Sequence, residues 1–123
     1  MPAALRIEVF AEDLDAFTDF YVRVLGFTLV DDRRTSEWPY AAVDRDGIRV
    51  GAVRPWTTVD RAVRGVPTGV EIVIEVDDVH AEHARVVEAG WPLADALQQR
   101  PWGLTDFRLH DPDGYFIRIT GKN

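Results

Sequence analysis

A chain of 123 residues is one domain by length and can bury a modest core. Its apolar content of 46%, with no apolar run near the roughly 18 residues of a membrane span, sets aside disorder and a transmembrane helix. The absence of cysteine removes disulfides, thiolate metal sites and thiol nucleophiles, and a net charge of −7 without a basic stripe disfavours nucleic acid, whose binding draws on phosphate neutralisation. With no basic segment preceding an apolar stretch, no secretion signal is read, and a cytoplasmic location is expected.

In chain order, Leu5, Ile7 and Val9 alternate with Arg6, Glu8 and Phe10, which predicts a strand with one apolar face. Asp13 suits a helix N-cap, because a short carboxylate can accept the orphan amides of the first turn. Leu14, Phe17, Phe20, Tyr21, Val24 and Leu25 then follow at helical spacing, and Gly26 ends the helix. Residues Tyr40 to Val53 read as two strands about a turn at Asp46-Gly47. A segment with two prolines and two glycines, Arg54 to Gly69, comes next.

The same order is then written again. Ile72, Ile74 and Val76 alternate with Glu71, Val73 and Glu75, and Asp78 takes the capping role. Val79, Val86, Val87 and Ala89 supply the apolar side of a helix, and Gly90 ends it. Trp91 stands where Phe27 stood and is expected in the core. Phe107 to Thr120 form two strands about Asp111-Pro112-Asp113-Gly114. From Asp13 to Asp78 is 65 positions and from Gly26 to Gly90 is 64, the mark of an internal duplication. The expected architecture is α+β: two tandem βαβββ modules, about residues 4–53 and 69–121 with a linker at 54–68, in a single domain spanning 1–123. Each helix covers one face of its own sheet. The opposite faces carry Arg6, Glu8, Phe10, Glu71 and Glu75, and a curved mixed sheet around a half-polar cleft is the natural ligand site.

Asp13-Leu14-Asp15 with Phe20-Tyr21 and Leu25-Gly26-Phe27, then Val76-Asp77-Asp78-Val79, Ala89-Gly90, Trp102-Gly103 and Asp111-Pro112-Asp113-Gly114, occur here in duplicated order. Over nearly the whole chain this resembles the vicinal-oxygen-chelate superfamily of glyoxalases, bleomycin resistance proteins and dioxygenases. Fold does not fix function in such a group. Its members include metal-dependent lyases, isomerases and dioxygenases, and proteins that only sequester antibiotics.

The resemblance implies that metal-dependent members carry one ligand on the first strand and one on the last strand of each module. Those positions fall on Arg6, Gly51, Glu71 and Arg118. A guanidinium stays protonated and offers a metal no lone pair, glycine offers no side chain, and one carboxylate is too few. No metal and no other cofactor is therefore expected. Arg118 in the last position is similar to the bleomycin-binding members. Arg6, Glu71 and Arg118 make either a charged recognition centre or an ion-pair cluster that only ties strands together.

Trp38, Tyr40, Trp56 and Trp102 lie outside the helical cores and suit either stacking on a planar ligand or a dimer interface. His80 and His83 with Glu82 read as an exposed helix face, and His110 as a turn residue. The charged and aromatic residues together make an expected ligand-binding set of Arg6, Glu8, Trp38, Tyr40, Trp56, Glu71, Trp102 and Arg118, with no catalytic residue assigned. The function expected is metal-independent binding of a small planar, neutral-to-cationic antibiotic or metabolite by a homodimer. Two alternatives stay open: a metal-dependent lyase, isomerase or oxygenase, and a metal-free enzyme with Glu71 as base.

Overall fold

A computed structural model describes residues 2–64 and 67–122. The chain divides into two compact units, Met1–Val59 and Asp60–Asn123. Each holds one four-stranded mixed sheet, and the two modules repeat the same βαβββ order.

In the first unit the order is β1 (Arg6–Phe10), α1 (Leu14–Asp19) continued by a π turn (Phe20–Val24), β2 (Thr28–Arg33), β3 (Tyr40–Arg45) and β4 (Ile48–Val53). The sheet order is β1-β4-β3-β2, with β1 parallel to β4 and the remaining pairs antiparallel. Asp13 caps α1 as expected: its Oδ1 accepts from the backbone amides of Asp15 and Ala16 at 2.9 and 3.1 Å. The uniform α-helix expected up to Leu25 does not form. Its last turn widens, with the Leu25 amide donating to the Phe20 carbonyl and the Phe27 amide to the Tyr21 carbonyl. The widened turn accompanies an aromatic ladder: Tyr21 packs on Phe17, Phe20 and Phe27 with centroids 4.8, 5.0 and 5.6 Å apart, all four buried. Gly26, at φ 76, reverses the chain after it. Leu5 was expected on the apolar face but precedes β1 and is 82% exposed, while Val9 is buried.

The β3–β4 turn puts Asp46 at φ 48 and Gly47 at φ 84, two positive values that match the twist of a tight hairpin. Across it Ala41 pairs with Ala52 and Val43 with Val50, all buried beneath α1. Strand alternation then sends Arg6, Glu8, Tyr40, Asp44, Arg49 and Gly51 to the opposite face.

The second unit runs from a 3₁₀ turn (Arg61–Arg64) to β5 (Ile72–Val76), α2 (Val79–Glu88), β6 (Asp95–Gln99), β7 (Thr105–His110) and β8 (Phe116–Gly121), with sheet order β5-β8-β7-β6. Phe107, Leu109, Ile117 and Ile119 are buried on the α2 side. Arg108 and Arg118, directly paired across β7 and β8, take the other face.

The buried stripe of α2 differs from the expected one. Val79, Glu82 and Val86 are buried, spaced three and four apart, whereas Val87 is 54% exposed. Glu82 meets Arg85 at 3.4 Å, and the His83 ring packs edge-on against Phe107 at 5.4 Å. His80, Glu82 and His83 therefore do not share an exposed face. Trp91 is half-buried rather than core, because its ring N–H reaches out to the His110 carbonyl at 2.8 Å. The linker docks on the β7–β8 turn. Arg64 lies over the Tyr115 ring at 4.2 Å and donates to the Asp113 carbonyl, and a Cβ on Gly114 would meet the Arg61 carbonyl oxygen at 2.9 Å. Among the described residues no helix is long and apolar enough to cross a membrane.

Candidate functional site

On the open face of the first sheet, the Arg6 Nε meets the Glu8 carboxylate at 2.6 Å, and the Tyr40 hydroxyl donates to the same oxygen at 3.0 Å. Tyr40 starts β3, two strands from Glu8, and β4 lies between them. The contact forms because Gly51, the β4 residue paired with Glu8, leaves the intervening space empty. A Cβ on Gly51 would collide with both the Tyr40 hydroxyl and the Glu8 carboxylate. Burial, then the hydrogen bond to Glu8 and its charge, push the Tyr40 phenol above its ordinary range. The Arg33 guanidinium lies over the Tyr40 ring at 5.1 Å. Arg6 and Glu8 also line a cleft of about 570 Å³ with Leu5, Asp44 and Arg49.

On the corresponding face of the second sheet, Arg118 Nη2 donates to Glu71 Oε1 at 2.7 Å. Next to it, Arg100 bridges two carboxylates: Asp106, fully buried, through Nε at 2.8 Å, and Asp95 through Nη2 at 2.8 Å. The hydrogen bond from Arg100 holds the Asp95 carboxyl below the usual carboxylate range. Arg108 approaches Asp106 only at 3.5 Å.

The four positions at which the resemblance implies a metal can be tested against this geometry. Arg6 is cationic and paired, Gly51 contributes only space that Glu8 and Tyr40 fill, Glu71 is held by Arg118, and Arg118 is itself cationic. This donor set does not fit a divalent ion. Among the described residues no group of three or more His, Asp or Glu side chains comes together in a metal-binding arrangement.

Of the aromatic residues, Trp56 is 88% exposed and leans on Phe10 of the open face at 5.4 Å. Trp38, in the β2–β3 connection, is 80% exposed, and Trp102, at the β6–β7 turn, is 57% exposed. Within each unit the structure thus joins Arg6 to Glu8 and Tyr40, and Glu71 to Arg118. Arg108 was missed by the sequence reading. Its alternation between Phe107 and Leu109 was the available signal, since it places Arg108 on the face of Arg118.

A family model of the Glyoxalase/Bleomycin resistance protein/Dioxygenase superfamily matches residues 4–119. The chain belongs to that superfamily. Among solved structures, TioX from Micromonospora sp. ML1 is similar at 27% identity and a TM-score of 0.77, over 98% of both chains. TnmS3, an antibiotic binding protein from Streptomyces sp. CB03234, is similar at 25% identity and a TM-score of 0.72, over 100% of this chain and 98% of that one. A superfamily member from Sphaerobacter thermophilus DSM 20745 shares the fold at 21% identity and a TM-score of 0.75, over 99% and 98% of the two chains. No curated protein matches the chain.

Proposed function

We propose that this superfamily member binds and sequesters a planar, neutral-to-cationic small molecule in the cytoplasm, without a metal, as a homodimer. In this reading the two modules form one domain, and an open sheet face bounds the ligand site. The observation that carries it is the filling of the Gly51 space by Glu8 and Tyr40, which turns a ligand position of metal-dependent relatives into a closed hydrogen-bonded cluster. The similarity to TnmS3, itself an antibiotic binding protein, supports a small-molecule ligand. Exposed Trp38, Trp56 and Trp102 offer faces for stacking, each contact contributing about 0.5–2 kcal/mol. Sequestration needs tight binding alone and no turnover. A role for Glu71 as a proton-abstracting base has less support, because Arg118 already occupies its Oε1.

The test couples elemental analysis of the purified protein to tryptophan-quenching titrations with planar neutral and cationic antibiotics. Saturable quenching by at least one antibiotic, recovered unchanged, is expected, with no stoichiometric transition metal. One tightly held metal ion per chain, or turnover of a glutathione hemithioacetal, would overturn the reading.

A further inference from the structure

Two arginines face each other on the open side of the second sheet. Arg108 and Arg118 are directly paired across β7 and β8, with their side chains 22% and 23% exposed. Like charges in directly opposed positions repel. The Nε atoms of both residues are also buried without a hydrogen-bond partner. A buried donor left unmade is a cost that folded proteins rarely carry without a reason.

The carboxylates nearby do not remove this cost. Asp106 takes Arg100 at 2.8 Å and leaves Arg108 a contact of 3.5 Å, while Arg118 spends one nitrogen on Glu71. The first sheet shows what a fully satisfied pair looks like. There Arg6 and Arg49 are paired across β1 and β4, but Arg49 makes bonds of 2.7 and 2.8 Å to Asp44 and Arg6 meets Glu8 at 2.6 Å.

We propose that Arg108 and Arg118 form a subsite for an accepting oxygen, best a carboxylate, carried on the edge of the planar ligand. This rests on the binding function proposed above and makes Arg108 a ligand-contacting residue. Each guanidinium is a planar fork of five donors, matched to the two oxygens of a carboxylate. An acceptor set between them relieves the like-charge contact and gives the unused donors a partner through small rotations of the two side chains. A carboxylate on a cationic heteroaromatic ring leaves the ligand neutral overall, so the subsite and the stacking surfaces select different parts of one molecule.

The test compares acridine with acridine-9-carboxylate by calorimetric titration. The ring is the same in both, so the ratio of the two affinities, compared between the parent and Arg108→Met, reports the acceptor subsite. The parent protein is expected to bind the carboxylate at least tenfold more tightly. Arg108→Met, which leaves Asp106 paired with Arg100, is expected to bring that ratio close to one. Arg118→Lys, which keeps the charge but loses the fork, is expected to reduce it. Circular dichroism melts establish that both variants fold. Equal affinities in the parent, or an unchanged ratio in Arg108→Met, would overturn the subsite while leaving the binding function standing. If neither probe binds at millimolar concentration, both proposals fall.

Discussion

Gly51 works through what it lacks. Its missing side chain lets Glu8 and Tyr40 meet, so Gly51→Ala is expected to lower stability by about 1–3 kcal/mol through overpacking. The measurement is a urea melt, in which the midpoint should fall at unchanged slope. A parental midpoint would mean that Glu8 moves aside freely. The same cluster predicts a titration. Tyr40 is raised first by burial and then by its bond to Glu8, so Glu8→Gln should lower its pKa without returning it to the free value. Ultraviolet difference titration reads this directly. The sign for stability follows: a phenol raised in the folded state stabilises below its unfolded pKa of about 10 and loses that contribution as pH rises through the folded value. Arg6, Glu8 and Glu71 could be singled out in the sequence because strand alternation assigns faces, and Arg118 because the resemblance marked its position. The Tyr40–Glu8 contact could not, because it spans three strands and depends on their register.

Elements show a similar division. Both helix starts were legible, because Asp13 and Asp78 are short carboxylates ahead of apolar periodicity, and each accepts backbone amides as a cap should. Asp13 accepts two amides and Asp78 accepts from Ala81 alone. Asp13→Ala is accordingly expected to cost about 0.5–2 kcal/mol and Asp78→Ala less, a ranking that chemical denaturation of the two variants can settle. Equal losses would show that the second bond contributes nothing. The π turn after α1 left no trace in the periodicity, since one extra residue in the turn is fixed by how Phe17, Phe20, Tyr21 and Phe27 interlock. The burial of Glu82 was likewise hidden, because a charged residue on the inner stripe reads as surface until Arg85 is seen beside it.

At the scale of the whole molecule, charge and exposed apolar surface set the expectations. Asp19, Asp32, Asp44 and Asp95 are all lowered by hydrogen bonds from arginines, Asp32 to about 2. Groups depressed in this way stabilise the fold above their unfolded pKa near 4 and lose that contribution as pH falls through the folded values. Thermal melts should therefore be level from about pH 7 to 5 and decline below about pH 4, modestly, because these pairs are solvent-screened. A steep loss between pH 7 and 5 would point to a different titrating group. Leu5, Trp38, Trp56, Val70 and Trp102 are all more than half exposed, apolar surface that a second copy of the chain can cover. Sedimentation at micromolar concentration is expected to show a dimer, whose interface should exceed roughly 1,000 Å². A monomer would remove the dimer from the proposed function. The duplicated order and the hairpin turns made the α+β architecture readable. The pairings within the charged clusters were not, since sequence names the charges on a face but not their partners.

The parallel pairing of β1 with β4, and of β5 with β8, has a kinetic consequence. In each module the hairpin strands are neighbours in sequence, whereas the first strand must wait for the last to arrive before its edge is closed. Loop closure over that distance is costly until the intervening helix and hairpin have shortened it. The tight Asp46-Gly47 turn favours early formation of the β3–β4 hairpin, with capture of β1 as the late step. Pulse-labelling hydrogen exchange should then protect Val43 and Val50 before Val9, and the open face of the first module, with Arg6 and Glu8 on its first strand, comes into being only when folding is nearly complete.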